Sequence, residues 1–193
     1  MIFRRSIKYK LLPAVALFLC ACGDNSVWIN ALHTIILPIA AEKPPKESLQ
    51  CKKGEEYSVK VVGIADGDTF TGLTADSQQV KCRIYGIDAP EKTQAFSNRS
   101  KQTLSGLIFG QQVQIKIQSK DRWQRAVVRV YTSDNRDVAA EMIRAGMAWH
   151  FKLYSKDKKY ADLENVARQQ KIGLWADENP VAPWEFRKNE RQK

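Results

Sequence analysis

The chain has 193 residues, of which 44% are hydrophobic and 27% are charged. This length fits one folded domain with short appendages, and the hydrophobic content excludes a wholly disordered chain. The excess of 31 Lys and Arg over 21 Asp and Glu gives a net charge of +10, which favours an anionic partner such as nucleic acid or a phospholipid surface; a basic surface that only keeps the protein soluble is the alternative.

Residues 1–22 have the pattern of an export signal. Four basic residues precede the apolar run Leu11–Leu19, which is too short to span a bilayer. Residues 19–22, Leu-Cys-Ala-Cys, resemble a bacterial lipoprotein cleavage box, so we expect Cys22 to be acylated and to anchor the chain to a membrane. The alternative is cleavage by the ordinary signal peptidase. Either way, we expect an exported protein, in the cell envelope or secreted.

Residues 23–55 are predicted to form an apolar tether and linker before the folded domain. An interrupted apolar stretch covers 27–41, and the segment 42–48 carries two prolines and alternating charges. Outside the signal segment the chain has two cysteines, Cys51 and Cys82. An oxidising compartment would favour a disulfide between them, and two separate thiols remain the alternative.

The folded domain is predicted to cover 56–187, with a charged tail at 188–193. Alternating apolar residues predict strands at 57–64, 69–73, 80–87, 113–117 and 125–131. Helical spacing predicts helices at 95–109, 138–145 and 160–171, with a glycine one or two residues after each. Five short strands and about three helices indicate an α+β domain dominated by a β-barrel, most simply the five-stranded oligonucleotide/oligosaccharide-binding (OB) fold.

Two acidic motifs carry the chemistry of the chain. Residues 66–69 are Asp-Gly-Asp-Thr, and residues 83–91 are Arg-Ile-Tyr-Gly-Ile-Asp-Ala-Pro-Glu. Alone, each has an ordinary explanation, because Asp-Gly favours a hairpin turn and Asp-x-Pro-Glu resembles a helix cap. Strand pairing would bring Asp68 close to Asp88, and two carboxylates with a backbone carbonyl and waters suit Ca²⁺. Glu91 would then act on a water, and Arg83 on a phosphate.

These segments, with Arg125 before a valine-rich strand, resemble the thermonuclease family, also called staphylococcal-nuclease-like. The resemblance covers roughly residues 57–187, is strongest in 83–91, and points to bacterial exported members. It implies a Ca²⁺-dependent endonuclease that hydrolyses phosphodiester bonds of DNA and RNA with low sequence specificity. Carried over position by position, it makes the Ca²⁺ ligands Asp68, Asp88 and the carbonyl of Ala89, and the catalytic residues Arg83, Glu91 and Arg125.

The resemblance also implies supporting roles around this centre. Asp66 and Thr69 would assist at the metal, while Trp123, Lys152 and Tyr154 would contact the substrate. Two departures from the family pattern concern the substrate side. Trp123 and Gln124 replace a Tyr-Gly pair before Arg125, and Lys152 replaces a tyrosine.

Two other functions remain open from the sequence. A non-catalytic nucleic-acid-binding OB module would use the same basic surface, and a structural envelope lipoprotein would use its charge on anionic surfaces. The chain has two histidines, His33 and His150, which excludes nucleases and phospholipases built on a pair of catalytic histidines. A nucleotide-binding phosphate loop is missing from the sequence. We expect a monomer.

Overall fold

The computed structural model describes residues 52–192, and its centre is a closed barrel of five strands. The barrel strands are β1 (Glu56–Ile64), β2 (Thr69–Leu73), β3 (Gln79–Ile84), β5 (Gln112–Lys120) and β6 (Ala126–Tyr131). Two short strands, β4 (Ile87–Asp88) and β7 (Trp149–His150), pair outside the barrel. The helices are α1 (Ser97–Ile108), α2 (Val138–Arg144), α3 (Lys158–Gln169) and α4 (Pro183–Glu190), with a 3₁₀ turn at Gly173–Ala176.

The barrel follows the order β1-β2-β3-β6-β5 and closes between β5 and β1. Four of its five seams are antiparallel, and the pairing of β3 with β6 is parallel. Alternate residues of the strands point inward, which is why the sequence alternates between apolar and polar residues. The interior is filled by buried side chains that include Val59, Phe70, Ile115, Ile117 and Val128. The predicted five-stranded OB-type barrel is therefore confirmed.

The three predicted helices pack together next to the barrel: α1 contacts β1, α2 contacts β6, and α3 packs on α2. Helix α1 turns Leu104 and Ile108 into the core, and the short α2 is buried over most of its length. The side chain of Asp137 caps α2 by accepting a hydrogen bond from the backbone nitrogen of Ala140. These contacts join the barrel and the helices into one hydrophobic core.

A second cluster of aromatic side chains holds the C-terminal part of the chain. The ring of Trp149 lies edge-on to Trp175 at 4.4 Å and to Trp184 at 5.5 Å between centroids. Trp184 also stacks on Phe151 at 5.4 Å. Since Trp184 belongs to α4, this cluster fixes the start of the last helix against β7.

Three features differ from the expectations. The predicted strand 80–87 is wrong as one element, because β3 ends at Ile84 and the chain turns at Gly86, with φ of +81°, before β4. The β4–β7 pair and α4 were not predicted, and α4 extends to Glu190 within the segment expected to be a tail.

The predictions for the N-terminal segment fall on residues outside the described part of the chain. They are the signal peptide, Cys22, the tether up to residue 51 and the Cys51 half of the expected disulfide. Its other half, Cys82, is buried in β3, where the thiol lies 3.8 Å from the carbonyl oxygen of Val80. Within residues 52–192, the structure contains no helix of the length and apolarity that a membrane crossing requires.

Candidate active site

The turn between β1 and β2 carries the first acidic motif and is packed tightly against α1. The Asp66 carboxylate accepts a hydrogen bond from the backbone nitrogen of Asp68 at 3.0 Å. A Cβ atom on Gly67 would lie 1.8 Å from Oγ of Ser100 and 2.8 Å from Cβ of Ala89. Only glycine allows this approach, which brings Asp68 beside the segment that follows β4.

Asp68 is buried, with 2% of its surface exposed, and every hydrogen bond it accepts is local to the site. Its Oδ2 accepts from the backbone nitrogen of Ala89 at 2.8 Å, and its Oδ1 accepts from Thr69 Oγ1 at 2.9 Å and from Arg83. Burial raises the pKa of this carboxyl, and the positive charge of Arg83 opposes the increase. The two acidic motifs are thus joined through Asp68 and Ala89.

Arg83 bridges the two aspartates predicted to bind metal. One terminal nitrogen donates to Asp68 and the other donates to Oδ1 of Asp88 at 2.7 Å. Burial alone would lower the pKa of Arg83, but attraction to Asp68 and Asp88 outweighs it, so the net pKa is raised. One guanidinium therefore spans both carboxylates, and the pairing of β2 with β3, which sets Thr69 opposite Arg83, brings Arg83 next to Asp68.

A second arginine, Arg187 of α4, also contacts Asp88, and it was not predicted. Its Nη2 donates to Asp88 Oδ2 at 2.7 Å, and its Nη1 donates to Glu91 Oε1 at 2.6 Å and to Asp88 Oδ1 at 3.3 Å. Burial would lower the pKa of Arg187, but these hydrogen bonds and charges outweigh burial and raise it. Asp88, with 0% exposure, is therefore held between Arg83 and Arg187.

Arg125, directly before β6, approaches the centre and is held by Asp121. The Asp121 carboxylate accepts from Nε of Arg125 at 2.7 Å and from the backbone nitrogens of Trp123 and Arg125 at 2.9 Å. Burial would raise the pKa of Asp121, but these hydrogen bonds lower it overall. Nη1 of Arg125 reaches Thr69 Oγ1 at 3.3 Å. Gln124 adopts a φ of +64°, so the turn keeps a left-handed conformation without glycine.

Asp66, Arg83, Glu91, Arg125 and Arg187 line a groove of about 1160 Å³, and the buried Asp68 and Asp88 lie behind Arg83. Two aromatic side chains flank it, Trp123 with 62% and Tyr154 with 67% of their surface exposed. The guanidinium of Arg122 lies over the Trp123 ring, 4.1 Å from its centroid. Lys152 does not line this groove, because its ammonium group lies 3.0 Å from the buried Glu164 beside a neighbouring cavity.

The oxygen atoms of the predicted ligands are of the kind that a hard divalent cation prefers. Asp68 and Asp88 supply carboxylates spanned by a single guanidinium, and Ca²⁺ accepts irregular shells of carboxylate, carbonyl and water oxygens. In the part of the chain from 52 to 192, no three His, Cys, Asp or Glu side chains are already arranged as a metal site. The carboxylate oxygens instead pair with Arg83 and Arg187, so a cation would have to replace some of these contacts.

Comparison with known proteins agrees with this geometry. The family model described as staphylococcal nuclease homologue matches residues 81–177. An uncharacterized endonuclease of Haemophilus influenzae is 43% identical over 137 residues, covering 71% of this chain and 76% of the relative. The chain belongs to the staphylococcal nuclease family.

Other relatives carry nuclease names as well. An uncharacterized endonuclease of Escherichia coli O157:H7 is 40% identical over 129 residues, covering 66% of this chain and 83% of the relative. A micrococcal nuclease of Shigella flexneri is 36% identical over 143 residues, covering 69% and 82%. Membership of the family and these relatives support nuclease activity.

The structure gathers most of the predicted residues into one centre. It brings together the side chains or backbone of Asp66, Asp68, Thr69, Arg83, Asp88, Ala89, Glu91 and Arg125. Lys152 stands apart, and Arg187 is the residue that the sequence reasoning missed. One arginine among the basic residues near the C-terminus carries no local pattern, although Pro183 is a typical first residue of a helix.

Proposed function

We propose that the protein is a Ca²⁺-dependent endonuclease that hydrolyses phosphodiester bonds of DNA and RNA with low sequence specificity. The observation that carries the proposal is the bridge from Arg83 to the buried Asp68 and Asp88, beside a groove that Arg83 lines together with Glu91 and Arg125. This arrangement combines carboxylates for a cation, guanidinium groups for a phosphate and a further carboxylate for a water.

The reaction follows from the roles of these side chains. A water oxygen forms a bond to phosphorus, its proton passes to the Glu91 carboxylate, and the bond from phosphorus to the 5′-oxygen breaks. Arg83 and Arg125 donate to the phosphate oxygens, whose negative charge grows in the transition state. Asp68, Asp88 and the Ala89 carbonyl would hold Ca²⁺, which supplies positive charge next to the phosphate when bound. The 5′-oxygen leaves as an alcohol after taking a proton from solvent.

Low sequence specificity is consistent with the cationic and aromatic side chains that line the groove. Its cationic side chains are suited to phosphate oxygens, which every nucleotide carries. Trp123 and Tyr154 offer exposed aromatic faces on which any base can stack. Asp121 anchors Arg125, so this arginine is held in place for phosphate before substrate arrives.

The test compares the mature protein with a Glu91→Gln variant. Plasmid DNA, single-stranded DNA and RNA are incubated with Ca²⁺ or with chelator, and cleavage is followed on gels. We expect cleavage only with Ca²⁺, and a loss of about 10²–10⁴-fold in Glu91→Gln. Undiminished cleavage in chelator would refute the role of the metal, and no cleavage with any divalent ion would refute the enzyme.

The second candidate is a nucleic-acid-binding module without activity. The basic groove and the exposed Trp123 favour it as well. The same Glu91→Gln variant separates the two, because an enzyme loses cleavage and keeps oligonucleotide affinity, whereas a binding module never cleaves.

We also propose that the protein is exported as a monomer and held at the cell envelope through acylated Cys22. The basic segment, the short apolar run and the Leu-Cys-Ala-Cys sequence support this proposal. Mass spectrometry of the mature N-terminus tests it. A lipid-modified cysteine at position 22 is expected, and an unmodified N-terminus at another residue would refute the anchor.

A further inference from the structure

Arg187 makes contacts that the proposed reaction does not use. Its guanidinium is placed between Asp88 and Glu91 with two nitrogens 2.6–2.7 Å from carboxylate oxygens of both residues. Asp88 is the residue proposed to bind the cation, and Glu91 is the one proposed to act on water. A positive group therefore already neutralises the two carboxylates on which the chemistry depends.

The position of α4 does not depend on these ion pairs alone. Trp184 packs on Trp149 and Phe151 at the start of the helix. The Gln94 side chain adds a hydrogen bond to the carbonyl oxygen of Val181 at 2.6 Å. The helix thus has an aromatic anchor one turn before Arg187, so the arginine side chain can exchange partners without undocking the helix.

The ion pairs also face the groove rather than the core. The side chains of Arg187 and Glu91 are 36% and 39% exposed, whereas that of Asp88 is 1% exposed. A guanidinium released from Asp88 would stay in the same groove as Arg83 and Arg125, which are proposed to bind phosphate. The alternative partner of Arg187 is therefore a phosphate oxygen of the substrate.

We propose that Arg187 is a substrate-binding residue of the active site that competes with the divalent cation for the Asp88 carboxylate, pairs with Glu91 in the cation-free site, and transfers to the substrate phosphate once the cation is bound. The inference rests on the proposed function. Because two positive groups cannot both take the same carboxylate oxygens, cation binding frees Arg187, and a phosphate that takes Arg187 favours the cation. Cation and substrate then bind cooperatively, since each removes the competitor of the other.

The experiment measures Ca²⁺ binding by calorimetry in the absence of nucleic acid. Arg187→Gln removes the competitor, so we expect Ca²⁺ to bind roughly five- to tenfold more tightly than to the wild type. A residue with only a structural role would give the opposite sign, because loosening α4 would weaken the site. Lys188→Gln is the matched control, since it removes the same charge from the neighbouring exposed position. We expect less than a twofold change there.

Two further measurements complete the test. At saturating Ca²⁺, Arg187→Gln is expected to raise KM for single-stranded DNA by roughly tenfold, with a smaller change in kcat. Ca²⁺ is expected to raise the melting temperature of Arg187→Gln more than that of the wild type. Arg187→Lys keeps the positive charge but loses the bidentate guanidinium contact, so its Ca²⁺ affinity should lie between those of the wild type and Arg187→Gln. This variant replaces Arg187→Gln in the test if Arg187→Gln does not fold.

The outcomes separate this inference from the proposed function. Ca²⁺-dependent cleavage by the wild type, with Ca²⁺ affinity unchanged or weaker in both Arg187 variants, would overturn the inference and leave the function intact. A wild type that does not cleave would overturn the function, and tighter Ca²⁺ binding by Arg187→Gln would still support the competition. A Lys188→Gln variant that gains as much affinity as Arg187→Gln would reduce the effect to net charge and overturn the inference.

Discussion

The close approach of Gly67 to α1 gives a sharp prediction for Gly67→Ala. The added Cβ would lie 1.8 Å from Oγ and 2.9 Å from Cβ of Ser100, and 2.8 Å from Cβ of Ala89. The serine hydroxyl cannot simply rotate away, because it donates to the carbonyl oxygen of Met147 at 2.6 Å. Either the turn that carries Asp68 moves outward or α1 shifts, and both perturb the active site.

The magnitude follows from these contacts. Forcing a methyl group into a packed site costs about 1–3 kcal/mol. Loss of the hydrogen bond from Ser100 to Met147 adds about 1 kcal/mol. The free energy of unfolding should therefore fall by about 2–4 kcal/mol. For a domain of this size, each kcal/mol lowers the melting temperature by about 4 °C, so a decrease of roughly 8–16 °C is expected.

The assay is thermal unfolding followed by circular dichroism, in chelator so that metal binding does not contribute. Gly106→Ala is the matched control, because Gly106 lies on α1 with no atom within 4 Å of an added Cβ. Alanine favours a helix over glycine, so this variant should gain roughly 0.5–1 kcal/mol. The cost of Gly67→Ala should also shrink in a Ser100→Gly background. A Gly67→Ala protein that melts with the wild type would refute the close packing.

Three other predictions concern charge and stacking. Arg83→Gln leaves the buried carboxylates of Asp68 and Asp88 short of a positive partner, so urea unfolding should show a loss of about 3 kcal/mol; a loss below about 1 kcal/mol would contradict the bridge. Trp123→Ala should leave the free energy of unfolding unchanged, because Trp123 is 62% exposed. The same variant should bind an oligonucleotide more weakly by about 1–3 kcal/mol in a fluorescence anisotropy titration, and an unchanged affinity would exclude stacking on this ring. Burial lowers the pKa of His150 below its usual 6.5, so on acidification the unfolded chain takes up the proton before the folded protein does. The free energy of unfolding should therefore fall as the pH falls from 6.5 towards the folded-state pKa. Urea unfolding at several pH values should show that His150→Gln removes this part of the pH dependence, and an unchanged pH dependence would contradict the prediction.

The barrel and the central site were predictable because both depend on short-range patterns. Alternating valines and isoleucines mark the strands, since each strand has one face in the barrel interior. The acidic motif at 66–69 lies on a hairpin, so the pairing of β2 with β3 places Asp68 next to Arg83. Local sequence and neighbouring strands decided these contacts.

The parts that could not be predicted depend on distant contacts. Apolar residues lie on both sides of Gly86, at Ile84 and Ile87, so the apolar content of the segment does not reveal the break between β3 and β4. Arg187 lies 99 residues from Asp88, and the contact needs both the aromatic anchor of Trp184 and the docking of α4. Lys152 turns to Glu164, which is buried on α3 and whose location the sequence does not reveal. Side-chain partners such as these are decided by tertiary packing.

The parallel pairing of β3 with β6 has a consequence for how the barrel would begin to unfold. The pairing of β3 with β6 joins three residue pairs, whereas the pairing of β5 with β6 joins six. The closed ring hides the strand edges, so a partial opening at this short seam would expose two edges that can recruit strands of other molecules. Arg83 lies on one side of the seam, opposite Val127. Loss of activity and the onset of aggregation on warming would then begin with the same local event.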